Sequence, residues 1–389
     1  MTIKIRPEIK ALKEKIISIR RDIHMHPELA FEEHRTSQLV TNHLNEFGIE
    51  VQTGIGKTGV VGTLKGNGSG KTIALRADMD ALPIQETNNI PYKSQHDGVM
   101  HACGHDGHTA MLLGAAEALS KQAKKIKGTV KFIFQPAEEG QGGARFMIKD
   151  GVLSGVDEAY GIHLWNYQKY GTLGVKPGPI MAAADIFEIN IYGKGGHGAA
   201  PQGTNDAIIV ASHLIQAFQT IISRNTNPID STVITIGQIN GGYNFNIIAD
   251  KVCLKGTTRA YTEDNRQLIK SRMHEIIEGT EKIFNVKINF NYEDGYPPTI
   301  NDTQSASNLL NAAKMILGNG AGVPYLSMGA EDFSYFLQEV PGCFFLVGSS
   351  PENHEPLSIP HHCSHFDIDE RALLVGSSVY LQLIDDLLM

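Results

Sequence analysis

Cysteine and tryptophan are scarce: 389 residues contain four cysteines (Cys103, Cys253, Cys343 and Cys363) and one tryptophan, Trp165. Thiols this sparse cannot form the disulfide framework of a small secreted scaffold, so they are expected to be free or metal-bound in a reducing compartment. No run of about 18 consecutive apolar residues occurs, which argues against a membrane-spanning helix. The opening stretch MTIKIRPEIKALKEKII has neither an uninterrupted apolar segment nor a small-residue cleavage site, so it does not read as a secretory signal, and the expected location is cytoplasmic. Positive charge is lacking too: the formal net charge is −8, and Lys/Arg side chains form no stripe beyond local pairs such as Arg20-Arg21. Neither a nucleic-acid nor a membrane partner is expected on those grounds. No G-x-S-x-G, Walker A or G-x-G-x-x-G motif stands between a strand and a helix, which disfavours nucleophilic-serine, P-loop and dinucleotide chemistry.

What is present is an ordinary globular composition, 41% hydrophobic and 20% charged, in a length that suits two or three domains. The 40 glycines and 16 prolines are dispersed, which removes collagen-like and low-complexity readings. Apolar spacing predicts helices over 7–24 and 33–47, strands over 60–64 and 72–77, a helix over 108–122 and a strand over 129–134. Strands alternating with helices imply an α/β layer around a largely parallel sheet. From 184 to 295 the order changes to β-α-β-β-α-β, the split βαβ arrangement of ferredoxin-like domains. Residues 296–389 return to helices and one apolar strand. The expected architecture is a discontinuous α/β domain over 1–183 and 296–389, interrupted by a ferredoxin-like α+β insertion at 184–295.

Histidine is clustered. His101, His105 and His108 crowd one segment with Cys103 and Asp106, and His361, His362 and His365 crowd another. A thiol and an imidazole two residues apart, with Gly104 between them, can converge on one ion. Glu138 and Glu139 follow an apolar strand, at the edge where open α/β sheets place ligands. Adjacent side chains there diverge, so one carboxylate can bind metal while the other serves as general base. Asp80 ends another strand and suits the task of hydrogen-bonding a ligating histidine. His163 lies on an apolar strand beside Trp165. With more donors than one tetrahedral ion needs, a two-metal hydrolase is the economical reading.

The motifs RRDIHMHPELAFEE (20–33), RADMDALPI (76–84), MHACGHDGH (100–108), QPAEEG (135–140), GIHLW (161–165), GKGGHGAAP (193–201), NIIAD (246–250), GTTRA (256–260), GAEDF (329–333) and HFDIDE (365–370) span nearly the whole chain. Together they resemble the M20 metallopeptidase and amidohydrolase group, in its branch of N-acyl-amino-acid amidohydrolases. That branch includes hippurate hydrolases, N-acetyl-diaminopimelate deacetylases and auxin-conjugate hydrolases. The resemblance implies a zinc-peptidase-like, mixed-sheet catalytic domain with a lid or dimerisation domain inserted in it. It implies metal ligation by Cys103, His105, Glu139, His163 and His362, with Cys103 as bridge and Asp78 standing where other members have a ligating histidine. It further implies Glu138 as general base, His197 as a residue that reaches a partner subunit's active site, and Asn246 and Arg259 as substrate contacts. The resemblance points to His362 rather than His361 because His362 lies four residues before Phe366, the spacing that the family shows. Two departures stand out: Asn246-Ile247-Ile248-Ala249 in place of asparagine followed by Val-Ile-Pro, and His362-Cys363-Ser364 in place of His-x-Pro.

The expected function is hydrolysis of the amide bond of an N-acyl amino acid by a homodimer or higher homo-oligomer. Each subunit would hold two divalent ions, manganese or zinc first, cobalt or nickel next. The rivals are a cysteine hydrolase using Cys103 with His105 as base, and a non-catalytic small-molecule-binding protein on the same scaffold.

Overall fold

Residues 3–389 are described by a computed structural model; residues 1 and 2, the start of the N-terminal stretch and of the first expected domain, lie outside the described residues. The chain divides into two units, one of Met1–Ile180, Ile300–Leu326 and Asp332–Met389, the other of Met181–Thr299 and Ser327–Glu331.

The first unit is built on an eight-stranded mixed sheet in the order Glu50–Ile55, Gly59–Lys65, Thr129–Gln135, Thr72–Asp78, Glu158–Lys169, Gly342–Ser350, Leu173–Gly174 and Ala321–Gly322. Its four central strands, Thr129–Gln135 to Gly342–Ser350, pair in parallel, and Gly59–Lys65 and Glu50–Ile55 extend one side antiparallel. Gly342–Ser350 is buried along its whole length, as a parallel strand covered on both faces must be. The covering helices are Lys13–Met25, His105–Ser120, Thr303–Leu317 and Arg371–Leu388: Ile16, Leu112, Leu309 and Tyr380 share one core with Leu75, Phe132 and Phe345 of the strands. Each such side chain contributes roughly 1.5–3 kcal/mol on leaving water.

The structure departs locally from the sequence expectation. The first expected helix is interrupted, Pro7–Lys10 and then Lys13–Met25. Glu50–Ile55 is a strand that the pattern does not reveal, because its side chains are mostly exposed and carry no alternation. The helix expected from 108 starts at His105. Gly104, at φ 97°, takes the left-handed conformation that lets the backbone enter this helix, so His105 stands in its first turn.

The second unit is a four-stranded antiparallel sheet in the order Thr232–Gly241, Lys251–Ala260, Ala183–Tyr192 and Lys287–Tyr296, with helices Ala207–Thr220 and Glu263–Phe284. This is the expected ferredoxin-like order. Ala183–Tyr192 buries alternate residues, and its Phe187, Ile189 and Ile191 meet Val210, Leu214, Phe218, Ile269 and Met273 of the helices. Asp206 caps the first helix by accepting from the amides of Ile208 and Ile209; Thr262 caps the second through Asn265. The run Ala207–Asn225 is long and apolar enough to cross a membrane by length and composition. Its Ala207, Val210, Leu214, Phe218 and Ile221 are buried in the core of this unit.

Candidate metal centre

Two neighbouring parallel strands, Thr72–Asp78 and Thr129–Gln135, end side by side and deliver Asp78 and Asp80 from one and Glu138 and Glu139 from the other. Asp80 joins them: its carboxylate accepts the amide N–H of Glu138 at 3.1 Å and of Glu139 at 2.9 Å. It also lies 3.2 Å from His105 Nδ1, which is 2.9 Å from the Asp80 carbonyl. With its Nδ1 proton so engaged, His105 turns Nε2 into the site, where that atom is buried without a hydrogen-bond partner, 3.9 Å from Glu139 Oε1. Glu139 Oε1 is likewise buried without a hydrogen-bond partner, and it lies 3.2 Å from His362 Nε2. An imidazole nitrogen and a carboxylate oxygen left facing each other without hydrogen-bond partners are atoms that a cation would bring together as ligands.

His163 shows the same pattern. Nδ1 donates to the Leu164 carbonyl at 2.5 Å, which leaves Nε2 as the electron-pair donor, 3.5 Å from Cys103 Sγ. Donor atoms of Cys103, His105 and His163 lie within 4.8 Å of one another, as do those of Cys103, Glu139 and His362, and those of His105, Glu138 and Glu139. The structure thus brings together Cys103, His105, Glu139, His163 and His362, with Cys103 common to the two groups that contain sulfur. The chemistry of this sulfur, imidazole and carboxylate set fits divalent cations.

His108 is also near, but both its ring nitrogens are used: Nδ1 lies 2.6 Å from Asp78 Oδ1, and Nε2 accepts the Leu164 amide at 2.8 Å. Of the C-terminal pair, His361 turns inward. Its Nε2 accepts the Asn166 amide at 3.2 Å, and its Nδ1 lies 3.8 Å from Cys103 Sγ. His362 has φ 63°, and its amide donates to the Ala102 carbonyl, which pins the turn against the Cys103 loop.

The electrostatics are those of a carboxylate-rich pocket. Burial works against the charge on Asp78, yet His105, His108 and Arg76 hold its carboxyl well below the usual range. Burial lowers His105, but Asp78, Asp80 and Glu139 outweigh it and push the imidazole up to about 10. Burial, reinforced by Glu139, Glu138 and Asp78, holds the Cys103 thiol well above its ordinary value.

Glu138 is 6% exposed and accepts the Asp332 amide at 3.4 Å. Supporting groups to which the sequence pattern assigned no role hold this corner. Arg76, fully buried, donates to Asp78 at 2.7 Å, to Gln135 at 2.9 Å and to Asp332 at 2.9 Å. Glu33 Oε1 accepts the Ala137 amide at 2.9 Å, which secures a residue with φ 54° just before Glu138. Asp106 accepts from Arg20 and His24, each at 2.8 Å, and Arg20 also reaches Asp367, tying the start of the His105 helix to the segment after His362. The available signal for these residues was their place in the segments RRDIHMHPELAFEE, RADMDALPI, MHACGHDGH and GAEDF.

His197, Asn246 and Arg259 belong to the second unit. His197 is exposed and pairs with Ile247 in a short ladder, and the next residue, Gly198, donates to the Asn246 carbonyl at 2.8 Å. His197 Nδ1 accepts the Ala199 amide, so in the neutral ring the proton is on Nε2. Arg259 is not brought to this ladder: it stands eight residues beyond Lys251 along Lys251–Ala260, roughly 26 Å of strand.

Comparison with known proteins assigns the lineage. The profile of peptidase family M20/M25/M40 matches residues 74–386. An N-acetyl-L-cysteine deacetylase from Bacillus subtilis is 42% identical over 95% of this chain and 87% of its own length. An IAA-amino acid hydrolase from Arabidopsis thaliana is 40% identical over 94% of this chain and 84% of its own. Among solved structures, a dinuclear metal-binding peptidase of the M20 family from Bacillus subtilis is similar with a TM-score of 0.84 at 36% identity, covering 96% of this chain and 98% of that one. With the profile covering most of the sequence and relatives matching almost end to end, the chain belongs to peptidase family M20/M25/M40.

Proposed function

We propose that the protein is a metal-dependent amidohydrolase that cleaves an N-acyl amino acid, or a related small acyl-amino compound, into a carboxylic acid and a free amine. The observation that carries this reading is the convergence of five donor side chains on one pocket with a further buried carboxylate, Glu138, beside them. Cys103, His105, Glu139, His163 and His362 would hold two divalent ions, manganese or zinc first and cobalt or nickel next. Ions bound there supply Lewis acidity toward water and toward the scissile carbonyl oxygen. Glu138 takes the proton of the attacking water as the carbon–oxygen bond forms, and returns it to the nitrogen as the carbon–nitrogen bond breaks. Assay of metal-loaded protein against N-acetyl, N-benzoyl and N-acyl-diamino acids tests the reading; no amine release from any of them would sink it.

The rival with Cys103 as nucleophile is disfavoured by its surroundings. Reactive cysteines sit in electropositive sites that lower the thiol pKa, whereas burial, reinforced by Glu139, Glu138 and Asp78, raises this one. The same electrostatics give a prediction. His105 and Cys103 are both protonated at neutral pH in the absence of an ion, so ligation must displace both protons. We expect the release of about two protons as the whole centre fills, and an apparent affinity that rises with pH until His105 loses its proton, at about 10. Calorimetry in buffers of different ionisation enthalpy measures the release; none would remove these two residues from the ligand set.

We further infer that the enzyme is a homodimer in which His197 serves the partner's site, with Asn246 and Arg259 contacting substrate. Ile208, Ile209, Tyr243, Phe245 and Ile247 of the second unit are exposed, and Thr232–Gly241 is an open sheet edge, a combination that favours pairing with a second copy. His197→Ala should bind metal normally and lose most activity. In a verified heterodimer with Glu138→Gln, one hybrid site regains an intact Glu138 and an intact His197, so part of the activity should return. No recovery would confine His197 to its own chain.

A further inference from the structure

We propose that Glu33 is a positioning residue for the general base: its ionised carboxylate holds Ala137 in the left-handed conformation that presents Glu138, so turnover follows the protonation of Glu33 as well as that of Glu138. The inference rests on the amidohydrolase reading. Glu33 stands just before the helix His34–Glu46, where an acidic side chain ordinarily accepts from the amides of its own helix, yet it makes no such bond. Glu28 takes that task, accepting the amides of Arg35 and Thr36, each at 2.8 Å. Glu33 is left to join three separate segments. Its Oε1 accepts the amides of Phe31 and Ala137, each at 2.9 Å, and its Oε2 accepts the Thr58 hydroxyl at 2.5 Å, from the turn between the paired strands Glu50–Ile55 and Gly59–Lys65.

Each contact of Glu33 lies at or beside a strained residue. Phe31 (φ 65°), Lys57 (φ 79°) and Ala137 (φ 54°) all take the left-handed conformation that residues with a Cβ adopt at a cost. Two amides on one oxygen hold Phe31 and Ala137 there, and the Thr58 bond steadies the turn that contains Lys57. Glu33 itself is fully buried. The cations of these segments are engaged elsewhere: Arg35 donates to Asp22 at 2.9 Å, and Lys57 Nζ lies over the rings of Phe31, at 3.6 Å, and Phe146, at 4.8 Å. Glu32 and His34 are exposed, Asp80 faces Glu33 through space, and Glu138 and Glu139 follow Ala137 in the turn, so the charge around the group is negative. Burial, with Asp80 adding to it against the Thr58 bond, pushes the Glu33 carboxyl up to about 7. Because Oε1 is filled by two N–H groups, a proton goes to Oε2 and is donated to Thr58 Oγ1. The neutral carboxyl is a weaker acceptor for the Ala137 amide than the carboxylate is, so the hold on the Glu138 turn is tight above about pH 7 and loosens below it.

The test compares manganese-saturated wild type with Glu33→Gln, Glu33→Ala, and Glu33→Ala combined with Ala137→Gly, in hydrolysis of N-benzoylglycine. Glutamine keeps the shape and an oxygen for both amides but cannot ionise. The wild-type kcat should therefore exceed that of Glu33→Gln by about tenfold at about pH 8.5, and the ratio should fall toward one by about pH 5.5. A purely structural role would give a ratio that pH does not move. Glu33→Ala should bind manganese as wild type does and lose at least as much kcat as Glu33→Gln, and Ala137→Gly should restore part of it, because glycine takes this φ without strain. Infrared difference spectra of wild type against Glu33→Gln read the carboxyl without turnover and cover a failure of the alanine variants to fold: the acid C=O band of Glu33 should appear as pH falls through about 7. A pH-independent ratio, an absent band, or no restoration in a folded double variant would each overturn the proposal while leaving an active amidohydrolase in place. Absence of amide hydrolysis by wild type from every N-acyl amino acid tried refutes the amidohydrolase reading, and this proposal with it.

Discussion

Glu138→Gln should lower kcat by about a thousandfold or more while the protein still binds its full complement of divalent ion. The substitution keeps the shape of the side chain and its contact with the Asp332 amide, and removes only the capacity to take a proton. Glu139→Gln is the contrasting case. Its Oε1 is the buried oxygen that faces His105 and His362, so its loss should release metal and activity together. Metal analysis with single-turnover kinetics separates the two. If both variants keep metal and only Glu139→Gln is inactive, the roles of the adjacent carboxylates are reversed.

Asp80→Ala should be the most damaging substitution outside the donor set and Glu138. One carboxylate accepts from His105 and from the amides of Glu138 and Glu139. Alanine leaves the two buried amides unpaired, at about 1–3 kcal/mol each, and leaves His105 Nδ1 only the backbone carbonyl of residue 80. Loss of such a supporting partner typically weakens metal binding by about 10–100-fold, and the displaced Glu138 should lower kcat further in protein saturated with metal. Asp80→Asn retains the volume and should recover part of the affinity. Equal metal affinity in wild type and Asp80→Ala would show that His105 and the 138–139 turn are held by other contacts.

Much of this arrangement is legible in the sequence, for identifiable reasons. The ferredoxin-like order can be read because Phe187, Ile189 and Ile191 alternate cleanly and the helix beginning at Ala207 repeats its apolar residues at helical spacing. The donor segments can be read because Cys103-Gly104-His105 and Glu138-Glu139 each concentrate chemistry within a few residues. What stays hidden depends on contacts between distant segments. Glu33 supports Ala137 across about a hundred positions, and Arg76 meets Asp332 across an even longer separation, so neither pairing has a local pattern. The choice between His361 and His362 rests in three dimensions on which ring packs against Trp165 and which faces Glu139. Glu50–Ile55 escapes notice because an exposed edge strand has little reason to alternate.

The most direct test of the central claim, hydrolysis that depends on metal with Glu138 as base, is amine release from N-benzoylglycine by one preparation carried through three states: as purified, stripped by chelator, and reloaded with manganese or zinc. We expect activity to disappear on stripping, to return on reloading, and to stay absent in reloaded Glu138→Gln. Full activity in rigorously metal-free protein, abolished by alkylation of Cys103, would contradict the claim and hand the chemistry to a cysteine nucleophile.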